Sequence, residues 1–324
     1  MKIHVPYSIW LGSIENFLRT IDLNDETKLD ISFDPKWLSL HPVVFSIIGA
    51  LGLHVDGKFG TTSIQASGPH LKQLYEIGLY EILKFQVDGV LPVKPVHENA
   101  GKCIPLTQIK NRHRLTEIIQ ELVPLLHCSP EQADPIKYVL SEMIRNVMEH
   151  SRSPEGAIVC AKYLKKSNRI TIGIADCGIG IKESLNRYHN PETHAKAIRL
   201  ALTPGITGTT SKIGGTEYNA GAGLFFTKSI AKVSNNFFIL YSGDALYRLR
   251  KDKDVNDTVL YVDPMKDNAT LKTINYWQGT VVGVDISLDN LKEFNALLSK
   301  IREAYFIDIK SRKKEFYKKP KFID

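Results

Sequence analysis

The sequence predicts an α+β chain in two parts. A small α/β domain covers residues 1–85, and a two-layer sandwich, one helical layer on one sheet, covers residues 113–306. Three observations carry this. Strand-like and helix-like runs alternate through the first 85 residues. From residue 113 onward, helical patterns come first and a series of strand patterns follows. Between them, residues 86–112 mix prolines and glycines with short apolar pieces and read as a linker. Residues 307–324 read as a basic tail.

In the first part, "KIHVPYS" reads as a strand and "GSIENFLRTI" as a short helix with Ile14, Phe17, Leu18 and Ile21 on one side. "KLDISFD" alternates through Leu29, Ile31 and Phe33, the period of a half-buried strand. "HPVVFSIIGALGLHV" is an apolar helix with Pro42 in its first turn. "TTSIQAS" is a further strand, and "PHLKQLYEIGLYEILK" predicts one amphipathic helix.

In the second part, residues 113–126 predict a helix, and a longer one starts at Ser129 and Pro130, an N-cap followed by the favoured first helical residue. "GAIVCAKYL" and "RITIGIAD" are strands. A Gly- and Thr-rich segment follows at about residues 203–223, then the helix "LFFTKSIAKVS". "NFFILYSG", "YRLRK", "TVLYVD" and "GTVVGVDIS" read as four more strands, and a last helix spans about residues 290–306.

Composition narrows the function. Apolar content of 43% and charged content of 24% fit a globular protein. The longest apolar run, from Pro42, is too short for a bilayer, and the first residues lack a signal-peptide pattern, so a cytosolic protein without membrane contact is expected. The four cysteines show no Cys-x-x-Cys spacing, which argues against zinc. The net charge is +7, and residues 310–324 carry seven basic against two acidic residues. That tail is a solvated terminus or a nonspecific contact for nucleic acid or an acidic partner.

Four short patterns carry chemistry. In "SEMIRNVMEHS", Ile136, Leu140, Met143 and Val147 line one helix face, with Glu142, Asn146 and His150 in a row along its flank. A polar row beside a core is costly unless it is satisfied. A metal ion with its waters and a phosphate is one solution: the Asn146 amide oxygen suits Mg²⁺, and Glu142 can activate a water or hydroxyl. A solvated helix flank is the plainer alternative. "ITIGIADCGIGI" puts Asp176 at the end of an apolar strand, before Gly178 and Gly180. Such a carboxylate can accept from an exocyclic amine, while a simple strand-to-turn Asp is the alternative. "NAGAGLFFTKSI" places Gly221 and Gly223 directly before a helix, which exposes backbone N–H groups to a phosphate or makes an ordinary turn. In "WQGTVVGVDIS", Thr280 opens a late strand and can reach the Asp176 pocket.

In this order, the four patterns resemble the GHKL superfamily of ATP-binding proteins, which includes DNA gyrase and the histidine kinases and has the Bergerat fold. "SEMIRNVMEHS" is most similar to the corresponding helix of the anti-sigma-factor serine kinases. The resemblance implies ATP and Mg²⁺ as cofactors, Glu142 as catalytic base and Asn146 as metal ligand. It implies Asp176 on the adenine amine, with Gly178 and Gly180 shaping that pocket and Thr280 joining it. His150, Asn219, Gly221, Gly223 and Leu224 would complete the nucleotide site, and residues 202–218, with Lys212, would be a lid over the phosphates. The first 85 residues resemble the STAS domains of anti-sigma-factor antagonists, in which a serine near the helix start is phosphorylated. Ser39 and Ser46 are the candidates, a helix N-cap being the plainer role for Ser39. The pair implies a signalling kinase or slow ATPase acting on a protein partner. The alternative is an ATP-gated module that forms a homodimer and touches nucleic acid through its tail.

Overall fold

The computed structural model describes residues 1–311 apart from 26, 37, 67, 86–102, 126–129, 212–220, 253–258, 290–298, 300 and 304. Lys212, Asn219, most of the expected linker and the tail beyond residue 311 therefore lie outside the described residues.

The first part runs β1 (Lys2–Val5), β2 (Ser8–Ile9), α1 (Ile14–Thr20), β3 (Lys28–Phe33), β4 (Ser39–Leu40), α2 (Pro42–Gly57), β5 (Thr61–Gln65), α3 (Gly68–Glu76) and α4 (Leu79–Leu83). The strands β1, β3 and β5 form a parallel sheet in that order. Its period-two residues Ile3, Val5, Leu29, Ile31 and Phe33 are all buried. The single helix expected after β5 is broken in two at Gly78, which adopts φ 81°, and the carbonyl of Ile77 accepts from the N–H of Leu106 at 2.7 Å. The N-cap of α2 is His41, not Ser39. His41 Nδ1 accepts from the Val43 N–H at 3.1 Å, and Pro42 fills the position that needs no donor. Ser39 is exposed in β4, and Ser46 is fully buried, with its hydroxyl on the Gly173 carbonyl at 2.9 Å.

The second part starts earlier than expected. Residues read as the end of a linker form β6 (Cys103–Ile109), the edge of the large sheet. Then come α5 (Arg112–Leu125), α6 (Pro130–Asn146), one π-helical turn (Val147–Ser151), β7 (Ala157–Leu164) and β8 (Arg169–Asp176). Two helices escape the periodicity argument, α7 (Gly180–His189) and α8 (His194–Ala201); Thr193 caps α8 by accepting from Lys196 N–H at 3.1 Å. After α9 (Gly223–Val233), the two strands expected over residues 236–251 are one continuous strand, β9 (Phe238–Leu249). The strand expected at residues 258–263 is absent from residues 259–263, which lead instead into a 3₁₀ turn capped by Asp263. The last strand, β10 (Ala269–Ser287), starts well before Gly279 because its first half pairs with β9. Residues 301–303 and 305–311 are helical, so the last helix runs past residue 306, with Ile301, Tyr305 and Ile309 buried one turn apart.

The five strands are antiparallel in the order β6-β7-β8-β10-β9. One face carries the core that joins α6 and α9 to the sheet, including Ile136, Leu140, Met143, Ile172, Ile174 and Phe225. The predicted sandwich stops there. In the structure the opposite face is covered as well, by α2 and its neighbours: Val43, Ile47, Leu51, Ile158, Cys160, Ala175 and Trp277 share one core. This is why α2 lacks a polar side; it is buried between the two sheets. Its start is pinned by a buried hydrogen bond from His41 Nε2 to Asp285 Oδ1 at 3.0 Å. Because Nδ1 already accepts from Val43, Nε2 carries the proton and donates. Among the described residues no helix is long and apolar enough to cross a membrane.

The two parts pack backbone to backbone at Gly173 of β8, where an added Cβ would collide with the backbone of Val43. Backbone cannot step aside as a side-chain tip can. Gly173→Ala is expected to cost about 1–3 kcal/mol through this overpacking, read as a lower urea midpoint with an unchanged slope. An unchanged midpoint would refute the packing of α2 on β8.

Candidate functional site

A cavity of about 340 Å³ opens between α6, α9 and the sheet. Its lining includes Glu142, Asn146, His150, Asp176, Gly180, Gly221, Gly223, Leu224 and Thr280, so nine residues singled out from sequence meet around one space. Gly178 stands just behind the lining, and its N–H donates to Asp176 Oδ1 at 2.8 Å.

The closed end is built by β8 and β10. Asp176 pairs across with Thr280, and its side chain falls on the same sheet face as Ile170, Ile172 and Ile174. The carboxyl is 1% exposed. Burial pushes its pKa up to about 7, against the opposing pull of the Gly178 and Thr280 N–H groups. The turn around it is fixed from behind. Trp277 Nε1 donates to the Asp176 carbonyl at 3.1 Å, and Gly279, at φ 110°, lies so close that a Cβ would strike the same carbonyl. Ser242 Oγ accepts from Ile181 N–H at 3.0 Å and donates to the Gly279 carbonyl at 2.6 Å, which ties the start of α7 to β9 and β10.

One long side is α6. Ile136, Val139, Leu140 and Met143 are buried, as the 3.6-residue period requires, and Glu142 and Asn146 flank them. Beyond Asn146 the helix widens into the π turn, which carries His150 to the cavity wall. The Ser151 carbonyl at its end accepts from Ile179 N–H at 2.7 Å, and a Cβ on Gly178 would strike it. The π turn thus locks the Asp176 loop in place. His150 is held below its usual pKa by burial, with Glu149 opposing. Burial raises the Glu142 carboxyl, while an ion pair and hydrogen bond from Arg145, one turn further on, pull it back.

The other end is the start of α9. Gly223 opens this helix against Glu142, and a Cβ there would lie 2.5 Å from Glu142 Oε2. The first-turn N–H groups of α9 therefore face the cavity beside a carboxylate. Of the expected lid, residues 202–211 are described and form its stem. Gly205 N–H donates to the Gly221 carbonyl at 3.0 Å. The stem is fastened to α7 through His189 Nε2 and the Thr207 carbonyl at 2.9 Å.

Sequence reasoning missed Arg145, Ser151, Ser242 and Trp277. Arg145 was visible in principle, as a basic residue one turn from Glu142. Ser242 and Trp277 act from β9 and β10, and Ser151 acts from the π turn on the loop after β8, contacts that only the folded chain creates.

The Asp176 carboxyl sets a pH dependence. Folded, it holds its proton up to about 7, whereas the unfolded chain releases it near the ordinary value of 3.8. The native state binds more protons between these limits, so this group's contribution to stability falls as pH rises through the window. Asp176→Asn removes it. The stability of the variant relative to the unliganded parent should rise from about pH 4 to pH 7 and level off above. Urea titrations at a series of pH values check this; a difference independent of pH would contradict it.

Residues 108–234 match the family model of the histidine kinase-like ATPase domain. No curated protein matches the chain. The matched span contains Glu142, Asn146, Asp176 and Gly223 but ends before Thr280. In sequence, this part of the chain is similar to a histidine kinase-like ATPase domain.

Proposed function

We propose that the protein binds ATP with Mg²⁺ in this cavity and acts as a cytoplasmic signalling kinase for protein serine, or as a slow ATPase, that regulates a protein partner. The observation that carries the reading is the convergence of Asp176, Asn146 and Gly223 on one cavity from three separate elements. The residues present fit the nucleotide. Asp176 is a buried acceptor at the closed end, and the start of α9, where only glycine fits, has first-turn N–H groups with no intrahelical acceptor. Thr280, Gly178 and Gly180 frame the base end, Asn219, Gly221 and Leu224 would flank the phosphate end, and Lys212 belongs to the expected lid. Asn146 would hold the metal through its amide oxygen, and bound Mg²⁺ would supply neutralisation of phosphate charge. Glu142 is the group to orient or deprotonate the attacking hydroxyl or water. The strand–helix alternation of residues 1–85 supports the STAS-like reading only at the level of α/β class, and Ser39 is its accessible serine.

One observation favours the second reading, an ATP-gated interaction module. Glu142 is paired with Arg145 on its own helix, and a carboxylate so engaged is not ready to activate a nucleophile. In that reading ATP closes the lid and drives dimerisation, with the basic tail available to nucleic acid.

Incubation with γ-labelled Mg·ATP separates the cases. A kinase yields ADP and phosphoprotein, an ATPase yields ADP and phosphate, and Glu142→Ala should remove either product while nucleotide still binds. A gated module yields neither but changes its oligomeric state with a nonhydrolysable analogue. Asp176→Asn should weaken ATP and ADP alike, by about tenfold or more. Absence of Mg²⁺-coupled binding in calorimetry would overturn the whole reading.

A further inference from the structure

We propose that Arg145 reads the terminal phosphate of the bound nucleotide: it exchanges its partner Glu142 for that phosphate, and ATP is told from ADP at this residue. The inference rests on the ATP-binding reading above and goes beyond it by naming the switch.

Among the described residues lining the cavity, Arg145 and His150 are the basic ones. Burial holds His150 toward its neutral form, so Arg145 is the permanent cation of this wall. Its position is set by Glu142. The Glu142 carboxylate touches Arg145 through one oxygen, and its other oxygen lies over Gly223 at the start of α9. The guanidinium is thereby held next to the helix end that faces the cavity. A nucleotide with its base at Asp176 runs its phosphates toward that end, and the outermost phosphate arrives where Glu142 and Arg145 are paired.

Phosphate and the Glu142 carboxylate repel each other, and both attract Arg145. The present pair is easily exchanged: Arg145 is 45% exposed, and ion pairs with that much solvent are weak. A terminal phosphate offers more charge and bidentate geometry to a guanidinium. The neighbours accommodate the exchange. Glu149, 4.0 Å from Arg145 Nε, also faces Arg112 at 3.8 Å and keeps a cation when Arg145 turns away. Glu142, once released, is free for the role proposed above. The triphosphate therefore unlocks the base that acts on it, while a diphosphate leaves the base engaged.

The test is calorimetry of ATP and ADP with Mg²⁺ on the full chain, comparing the parent with Arg145→Ala, Arg145→Lys and Glu142→Gln. Arg145→Ala is expected to weaken ATP about tenfold and to leave ADP within about twofold. Arg145→Lys should retain part of the preference. Glu142→Gln, which frees Arg145 in advance, should strengthen ATP and not ADP. A purely structural role for Arg145 moves both nucleotides together, and that result, or an unchanged ATP-to-ADP ratio, overturns the inference while ATP binding stands. Should Arg145→Ala fail to fold, the ratio in the other two variants decides. If the parent binds neither nucleotide, the ATP reading falls and this inference falls with it.

Discussion

The strand β8 has water on neither side, and the rest of the molecule follows from that constraint. Residues 170, 172 and 174 face the helical layer, and Gly173 and Ala175 face α2. A strand in this position must read as a nearly continuous apolar run, and "RITIGIAD" does. The run ends on Asp176, which keeps the alternation of the isoleucines and so delivers a carboxyl into a space that apolar side chains would otherwise fill. The glycine at position 173 lets the backbone of α2 come close enough to seal the opposite face. One strand thus sets both the depth of the cavity and the packing of α2 on the large sheet.

That placement has an electrostatic consequence. Among the lining carboxylates, Asp176 is deeply buried with backbone donors, whereas Glu142 is partly buried with a cationic partner. Two acids in one cavity are therefore held differently: one by desolvation relieved only by N–H groups, the other by an ion pair that can be exchanged. The first suits recognition of a neutral, hydrogen-bonding group. The second suits a group whose state must change when charge arrives.

How much of this was legible in the sequence depended on distance along the chain. The buried face of α6, the extent of β8 with Asp176 at its end, and the glycines at the start of α9 are local patterns, and each was read in place. The separate strands assigned within β9 were wrong because pairing with β10 overrides the polar interruption at Ser242 to Asp244. The helix pair α7 and α8 was missed because their apolar stripes are short, Ile181 and Leu185 in one and Ala197 and Ile198 in the other. The linker was drawn too long because β6 has an irregular edge register, broken between Ile104 and Thr107, that hides its alternation. The π turn at Val147–Ser151 has no period of its own, yet it carries His150 to the cavity and clamps the Asp176 loop. The all-apolar α2 announced burial on every side, but not which surface would bury it; that depended on a glycine more than a hundred residues away.

The attachment of the first domain bears directly on the cavity. Trp277 donates to the carbonyl of Asp176 and belongs to the core shared with α1 and α2. Its ring lies 6.2 Å from that of Tyr241, whose hydroxyl bonds the Asn275 carbonyl, and Asn275 in turn donates to the carbonyls of Arg19 and Ile21 at the end of α1. The irregular pairing of β10 between Thr273 and Thr280 lies in this stretch, so the strand departs from regular geometry where it touches both the first domain and the base end of the cavity. A chain of contacts therefore runs from the end of α1 to the Asp176 turn. The first part of the chain thus forms the back wall of the cavity: its α1 and α2 share one core with Trp277, which holds the Asp176 carbonyl.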